Sequence, residues 1–317
     1  MNAIEAMQAE IEYQVQDLHN LNLSSPWVRD SLFVGSGDSY VAGLAAQYFS
    51  GSHAICCYPI DIINNPSLVE RRNLFIVSIS GNTLANILAA KIAKKHGVSK
   101  ITALTARPSS RLAKSCDQTI ELKYRNTGII TAGTISFVAS MIKCISLTIQ
   151  LRLPSDLRKI YNRAETQAKQ VISKIDNKSR TSSSSSSSSY FILGNGQLHA
   201  IAMYGALKFN EVFGASAMVY PVEEFCHSPL FSIKETDQAI VLGDNDDNNR
   251  KLSKRLNEEG FSSVHVRFKN TGIELLLQAT FFIQLLVLKL AQKYGLTSCH
   301  FLSNKKLLRV SSDFIYG

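Results

Sequence analysis

The sequence contains three landmarks that each occur twice, in the same order along the chain. They are two apolar runs ending in G-x-G, two apolar runs leading into a polar loop, and two copies of an aromatic-basic-N-T-G-I pattern. The paired segments are 32–37 with 191–196, 74–78 with 238–242, and 124–129 with 268–273. An ordered set of repeats indicates a duplicated structural unit. We therefore expect two copies of one domain.

Each copy alternates apolar runs of four to six residues with helical patterns of ten or more. This alternation predicts an α/β fold in which a parallel sheet has helices on both faces. In the first copy the predicted strands are 32–35, 54–58, 74–78, 100–104 and 118–122, and the predicted helices are 40–48, 83–96, 110–115 and 129–150. The second copy has a similar pattern from Tyr190 onward.

The predicted organisation has five parts. They are an N-terminal helix at 1–20, a first α/β subdomain at 21–153, a linker helix with a serine-rich loop at 154–189, a second subdomain at 190–300, and a C-terminal tail at 301–317. The linker contains eight consecutive serines, Ser182 to Ser189. Such low complexity cannot bury apolar area, so we expect a flexible loop there.

Charge and cysteine usage limit the function classes. The net charge is +9, but the 34 lysines and arginines are scattered and form no single stripe, which disfavours a nucleic-acid-binding protein. The six cysteines include no C-x-x-C pair. They therefore indicate neither a disulfide framework nor a metal site, and they fit a reducing compartment.

Nothing in the sequence indicates a membrane or an export signal. The N-terminal residues lack the basic and apolar regions of a signal peptide. The apolar stretches 129–153 and 273–290 are interrupted by lysine or glutamine, so they are predicted to be buried helices rather than membrane spans. We expect a cytoplasmic protein.

Two loops follow predicted strands in the first copy, at the edge where open parallel sheets bind ligands. The loop at 35–40 reads G-S-G-D-S-Y, and the loop at 78–83 reads S-I-S-G-N-T. Hydroxyl groups and free amides at a helix N-terminus can hold a phosphate. Neither loop carries G-K-[ST], and the large Tyr40 argues against a dinucleotide fingerprint. The alternative is an ordinary strand–helix turn.

The second copy supplies candidate acid–base residues. Residues 202–213 have helical spacing, which places Tyr204, Lys208 and Glu211 on one face. A surface ion pair between the lysine and the glutamate is the alternative interpretation. His227 follows in an acidic loop that ends in proline, where a purely structural histidine remains an alternative.

The motifs GSGDSY, SISGNT, GALKFNE and EEFCHSP resemble the sugar isomerase (SIS) domain family, in the order and spacing of that family. The resemblance is strongest to the isomerase domain of glucosamine-6-phosphate synthases (glutamine–fructose-6-phosphate aminotransferases) and to archaeal glucosamine-6-phosphate deaminases. It covers nearly the whole chain. It implies two flavodoxin-like subdomains, a phosphosugar substrate, and no cofactor or metal.

The resemblance also implies roles for individual residues. The substrate phosphate would bind at Ser39, Ser78, Ser80 and Thr83, and the sugar near Gly37, Asp38 and a basic C-terminal residue, best matched by Arg309, with Lys305 and Lys306 as alternatives. Glu211 would be the base that forms an enediol, supported by Lys208. His227 would open the sugar ring of the neighbouring subunit, which implies a homodimer.

Some positions depart from the family pattern. Tyr204 stands in place of a glutamate, Ile79 in place of a glutamine, Asp38 in place of a threonine, and Ser228 in place of a glycine. A glutaminase domain is not expected, so the chain alone would not draw ammonia from glutamine.

The expected function is a phosphosugar isomerase acting on substrates like fructose 6-phosphate or glucosamine 6-phosphate. Glucosamine-6-phosphate deaminase and fructosamine-6-phosphate deglycase are the competing enzyme functions. Outside catalysis, the same motifs would suit a phosphosugar-binding sensor or a degenerate homologue. No nucleic-acid or membrane partner is expected.

Overall fold

The computed structural model describes residues 1–24, 27–179, 188–243 and 247–317. The predicted serine-rich loop lies outside the described residues, except for Ser188 and Ser189. The chain forms two compact units. The five-stranded unit comprises Gln16–Asn126, Gly133–Arg152 and Asn304–Gly317, and the four-stranded unit comprises Met1–Val15, Thr127–Ala132 and Leu153–Ser303.

Strands and helices alternate along most of the chain. The strands are β1 (Ser31–Val34), β2 (Ala54–Cys57), β3 (Asn73–Val77), β4 (Lys100–Thr105), β5 (Gln118–Glu121), β6 (Tyr190–Leu193), β7 (Ala217–Tyr220), β8 (Gln238–Gly243) and β9 (Ser262–Arg267). The helices are α1 (Ala3–Asp17), α2 (Asp38–Ser50), α3 (Pro59–Asn64), α4 (Leu84–Ala93), α5 (Arg111–Ser115), α6 (Ile135–Ser146), α7 (Leu157–Ser179), α8 (Gln197–Phe213), α9 (Val222–His227), α10 (Asp247–Glu258), α11 (Gly272–Lys293), α12 (His300–Ser303) and α13 (Lys305–Tyr316).

The five-stranded unit is a parallel sheet with the strand order β2-β1-β3-β4-β5. Leu32 and Val34 of β1 lie in a buried cluster with Ile87 of α4. The intervening Phe33 lies on the other face, where it adjoins Gly43 of α2. Helices therefore cover both faces, and the strand order is that of flavodoxin-like folds.

The four-stranded unit repeats this arrangement with the parallel order β7-β6-β8-β9. Phe191 of β6 packs in a buried cluster with Phe225 of α9 and Leu256 of α10. On the other face, Ile192 adjoins Gly205 of α8. The predicted α/β class with two parallel sheets is confirmed.

One predicted helix is wrong at its ends. The apolar pattern at 129–150 predicts a continuous helix, but α6 spans only Ile135–Ser146. The segment before it belongs to the four-stranded unit, where the amide of Thr127 donates to Glu10 Oε1 at 3.2 Å and Thr131 contacts Cys299. These contacts hold residues 127–132 out of the helix.

Helix α11 is the one helix in the described ranges that is long and apolar enough to cross a membrane. However, 83% of its apolar window is buried inside the protein. It packs against α7 and α8, and Lys289 forms an ion pair of 2.8 Å with Glu165 of α7. Burial of this kind is typical of the central helix of a folded unit.

Candidate active site

The loop between β3 and α4 folds back on itself through its own hydroxyl groups. The amide of Gly81 donates to Ser78 Oγ at 3.2 Å, and the amide of Asn82 donates to Ser80 Oγ at 3.3 Å. Ser78 Oγ lies 3.5 Å from Thr83 Oγ1. The structure thus brings Ser78, Ser80 and Thr83 together in one short turn, which we call the S-I-S-G-N-T loop.

This loop presents unused donors. Thr83 is the N-cap of α4, but its side chain caps no amide. The four amides from Thr83 to Asn86 donate to no acceptor within the described part of the chain. The first amides of a helix lack intrahelical partners, and together with the helix dipole they attract anions. The turn therefore has the chemistry of a phosphate-binding site.

Two residues that the sequence analysis missed shape this turn. Thr105 Oγ1, at the end of β4, donates to the carbonyl of Ile79 at 3.1 Å. Ser110 lies directly against Gly81, whose φ is +64°. The sequence could have indicated these two residues, because the segment after β4 begins at the same sheet edge as the loop after β3.

The G-S-G-D-S-Y loop follows β1, the neighbouring strand. Gly37 has a φ of +56°, and the amide of Ser39 donates to the carbonyl of Ser36 at 3.2 Å. The hydroxyl of Ser39 makes no hydrogen bond among the described residues. The carboxylate of Asp38 lies against Gly133, just before α6. Because β1 and β3 send their helices to opposite faces, the two loops mark the switch point where such sheets bind ligands.

The four-stranded unit holds a lysine–glutamate pair on α8. Lys208 is fully buried, and its Nζ lies 2.5 Å from Glu211 Oε2. The Glu211 side chain keeps 34% of its surface accessible. The pair forms as its spacing predicts, but Lys208 is too deeply buried for a surface ion pair. A carboxylate fixed on one side and open on the other can exchange protons with a ligand.

Tyr204 lies under this pair. Its ring centroid is 5.1 Å from Lys208 Nζ, and the ring is fully buried. The hydroxyl accepts a hydrogen bond of 3.2 Å from Gln284 of α11, and Gln284 Oε1 accepts one of 2.9 Å from Gln14 of α1. The aromatic face gives the buried ammonium a favourable electrostatic partner besides the carboxylate.

The two remaining predicted site regions are exposed. His227 ends α9, and its ring makes no hydrogen bond or ion pair in the part of the chain described. Arg309 lies on the exposed helix α13. At the other end of α13, Gly317 adjoins Leu84, the first residue of α4. Arg309 lies eight residues earlier, about 12 Å along the helix axis.

No group of three or more histidine, cysteine, aspartate or glutamate residues suited to a metal ion occurs among the described residues.

Comparisons with known proteins place these features in context. No family model matches the chain. The glutamine–fructose-6-phosphate aminotransferase of Caldanaerobacter subterraneus is 25% identical over 264 residues, covering 76% of this chain and 42% of that protein. The chain is a relative of the sugar isomerase (SIS) proteins. It spans about two fifths of the length of the curated relatives it matches.

Solved structures agree with the SIS relationship at the level of the fold. The C-terminal domain of the Francisella tularensis glucosamine–fructose-6-phosphate aminotransferase superimposes with a TM-score of 0.64 and 20% identity, over 94% of this chain and 95% of that one. The glucosamine-6-phosphate deaminase of Thermotoga maritima gives a TM-score of 0.67 and 18% identity, over 92% of both chains.

Proposed function

We propose that this chain is a phosphosugar isomerase that transfers a proton between C1 and C2 of substrates like fructose 6-phosphate or glucosamine 6-phosphate. The relationship to the SIS proteins supports a phosphosugar substrate. The arrangement of Lys208 and Glu211 supports catalysis rather than binding alone. That pair is the observation that carries the proposal.

The phosphate is proposed to bind at the S-I-S-G-N-T loop and Ser39. The loop offers hydroxyl groups and the free amides at the start of α4. Gly37 and Asp38 are proposed to contact the sugar, and Arg309 is a further candidate from the C-terminal segment. Binding energy from the phosphate, remote from the reacting carbons, would orient the sugar.

Glu211 is proposed as the base that removes a proton from one carbon and returns it to its neighbour. The C–H next to a carbonyl or imine is weakly acidic, and one carboxylate can serve both carbons. Lys208 fixes one carboxylate oxygen at 2.5 Å, which limits the rotation of the side chain. The accessible surface of Glu211 leaves room for a substrate.

His227 is proposed to open the sugar ring of a neighbouring subunit in a homodimer. Its exposed position on α9 is compatible with donation to another copy. Phe231, four residues later, is 84% exposed, as an interface anchor would be in an isolated chain. We further propose that the protein acts in the cytoplasm.

The deaminase is the second candidate function. It is favoured by the superposition on the Thermotoga maritima deaminase. Both reactions need the same base, and they differ in whether ammonia leaves C2. Deglycation of fructosamine 6-phosphate is a related variant. A sensor would need the phosphate loop but not the Lys208–Glu211 pair.

The test is an NMR assay in D₂O with glucosamine 6-phosphate, with fructose 6-phosphate plus ammonium, and with glucose 6-phosphate. Wild-type protein should incorporate deuterium at C1 or C2, and the product distinguishes isomerase from deaminase. Glu211→Gln should lower the exchange by about 10²–10⁴-fold, the usual contribution of a general base. Glu235→Gln, at an exposed carboxylate of the same unit, is the matched control.

Saturable binding of a phosphosugar without exchange would favour the sensor. Exchange in Glu211→Gln within a few-fold of wild type would reject Glu211 as the base.

A further inference from the structure

None of the side chains proposed to bind the phosphate is a cation. A phosphate monoester carries nearly two negative charges at neutral pH and three strong acceptor oxygens. Ser39, Ser78, Ser80 and Thr83 supply hydroxyl groups, and α4 supplies amides. Charge-assisted hydrogen bonds from arginine are roughly twice as strong as neutral ones. A neighbouring arginine would therefore add substantially to the binding of a dianion.

Two arginines flank the S-I-S-G-N-T loop: Arg107 lies between β4 and α5, and Arg111 is the first residue of α5. The amide of Arg107 donates to Thr105 Oγ1 at 3.1 Å, and that hydroxyl donates to the carbonyl of Ile79. On the other side, the amide next to Arg111, that of Leu112, donates to the carbonyl of Gly81 at 2.9 Å. The backbone of both arginines is thereby tied to the loop.

The side chains of these arginines are exposed and uncommitted. Within the described residues, the guanidinium group of neither Arg107 nor Arg111 forms an ion pair or a hydrogen bond; only their backbone amides donate to side chains. Other cations of the same unit are paired, as Lys94 is with Asp117 and Arg125 with Asp17. A guanidinium group left unpaired, on backbone that is tied to the loop, remains available to an anion.

The sequence around these two arginines is rich in basic residues and contains no acidic residue. Between Glu70 and Asp117 there is no acidic residue. The same interval contains nine basic residues: Arg71, Arg72, Lys91, Lys94, Lys95, Lys100, Arg107, Arg111 and Lys114. Of these, Arg107 and Arg111 are the first two that follow the carboxyl end of β4 in the chain. Lysine and arginine are scattered along the whole chain, but acidic residues are absent from this one interval.

We propose that Arg107 and Arg111 form a cationic clamp on the phosphate group of the substrate, at the same loop that the proposed function assigns to phosphate. The inference rests on that proposed function for the identity of the sugar phosphate. The clamp itself predicts affinity for any dianionic phosphate, including inorganic phosphate. It acts on binding, because the phosphate is remote from the reacting carbons.

The experiment compares wild type with Arg107→Ala, Arg111→Ala and the double variant by calorimetric titration with inorganic phosphate and with glucosamine 6-phosphate. Each single change should weaken binding about tenfold, the usual value of a hydrogen bond to a charged group. The loss should be largest at low salt, because added ions screen exposed charges. Lys100→Ala removes an exposed cation at the opposite end of β4 and should leave the affinity unchanged.

The kinetic readout is specific to binding. For any phosphosugar that is turned over, the arginine variants should raise KM and leave kcat unchanged, as expected for lost uniform binding. Arg107→Lys should fall between wild type and alanine, because lysine keeps the charge but not the bidentate geometry. Thermal melting should be unaltered, since both side chains are exposed.

The outcomes separate the clamp from the proposed reaction. Phosphate binding that the double variant loses supports the clamp, even if no deuterium exchange occurs in any sugar. Equal phosphate affinity in wild type and the double variant, or no phosphate binding by wild type, would overturn it. Loss of exchange with normal phosphate binding would count against the isomerase alone.

Discussion

Ser110 occupies the space into which a side chain at Gly81 would project, and Gly81 adopts a φ of +64°. The S-I-S-G-N-T loop thus closes only with glycine at this position. Gly81→Ala should cost about 1–2 kcal/mol from the left-handed backbone alone. It should also push Ser110 away and weaken phosphosugar binding. Thermal melting and calorimetry would measure the two effects.

The matched control for this change is Gly97→Ala. Gly97 has a φ of +67°, but a side chain there would meet nothing within 4 Å. It should share the backbone cost and spare the binding. Equal effects of the two substitutions on phosphosugar affinity would show that the contact with Ser110 is unimportant.

Tyr204 is expected to have two separable roles. Tyr204→Phe removes the hydroxyl that accepts from Gln284, which should cost about 1–3 kcal/mol of unfolding free energy. It keeps the ring under Lys208, so kcat should change little. Tyr204→Leu removes the ring as well and should lower kcat about threefold to thirtyfold, the range of a cation–π interaction. A Tyr204→Phe variant as slow as Tyr204→Leu would instead assign the effect to the hydroxyl.

Donation of His227 between subunits predicts complementation. Glu211→Gln and His227→Ala homodimers should both be nearly inactive. Random mixing of the two after reversible unfolding should restore about a quarter of wild-type activity, because half of the dimers carry one intact site out of two. Activity that stays at the level of the parents after verified subunit exchange would place His227 in the same chain as its site, or outside the site.

His199 predicts a dependence of stability on pH. Burial lowers its pKa below the ordinary value of 6.5, although a hydrogen bond to the backbone of Gly194 opposes the shift. Below pH 6.5 the unfolded chain takes up a proton that the folded chain does not. The free energy of unfolding should therefore fall as the pH drops from 6.5 toward the lower folded value.

Chemical denaturation at several pH values would test this dependence. His199→Gln should flatten the slope between pH 6.5 and 5. An unchanged slope in His199→Gln would assign the pH dependence to other groups.

The two sheets could be predicted because their central strands, β1, β3, β6 and β8, are short apolar runs that are largely buried on both faces. The four residues of β1 and the six of β8 are all buried, which leaves no polar alternation to confuse with a surface strand. The boundary of α6 could not be predicted in this way. Its apolar pattern continues into residues whose contacts are with Glu10 and Cys299, distant in the chain.

For the candidate site as well, contacts between residues close in the chain could be predicted, and contacts between distant residues could not. The three-residue spacing of Lys208 and Glu211 on a helix predicts their contact. The complete burial of Lys208 depends on Tyr204 and the helices around it, which spacing does not report. The support of the S-I-S-G-N-T loop by Thr105 and Ser110 joins residues nearly thirty positions apart, so no local motif contains it.

Each terminal helix packs in the unit that is built mainly from the other half of the chain. Helix α1 packs in the unit built mainly from the second half of the chain, where Gln14 bonds to Gln284, and α13 packs in the unit built from the first half. During synthesis, Gln14 of α1 is made 270 residues before Gln284, the partner to which it donates a hydrogen bond. The five-stranded sheet is likewise made long before α13 arrives to cover α4. The apolar residues that α1 buries, among them Met7 and Ile11, stay without their packing partners until the second half of the chain has been made.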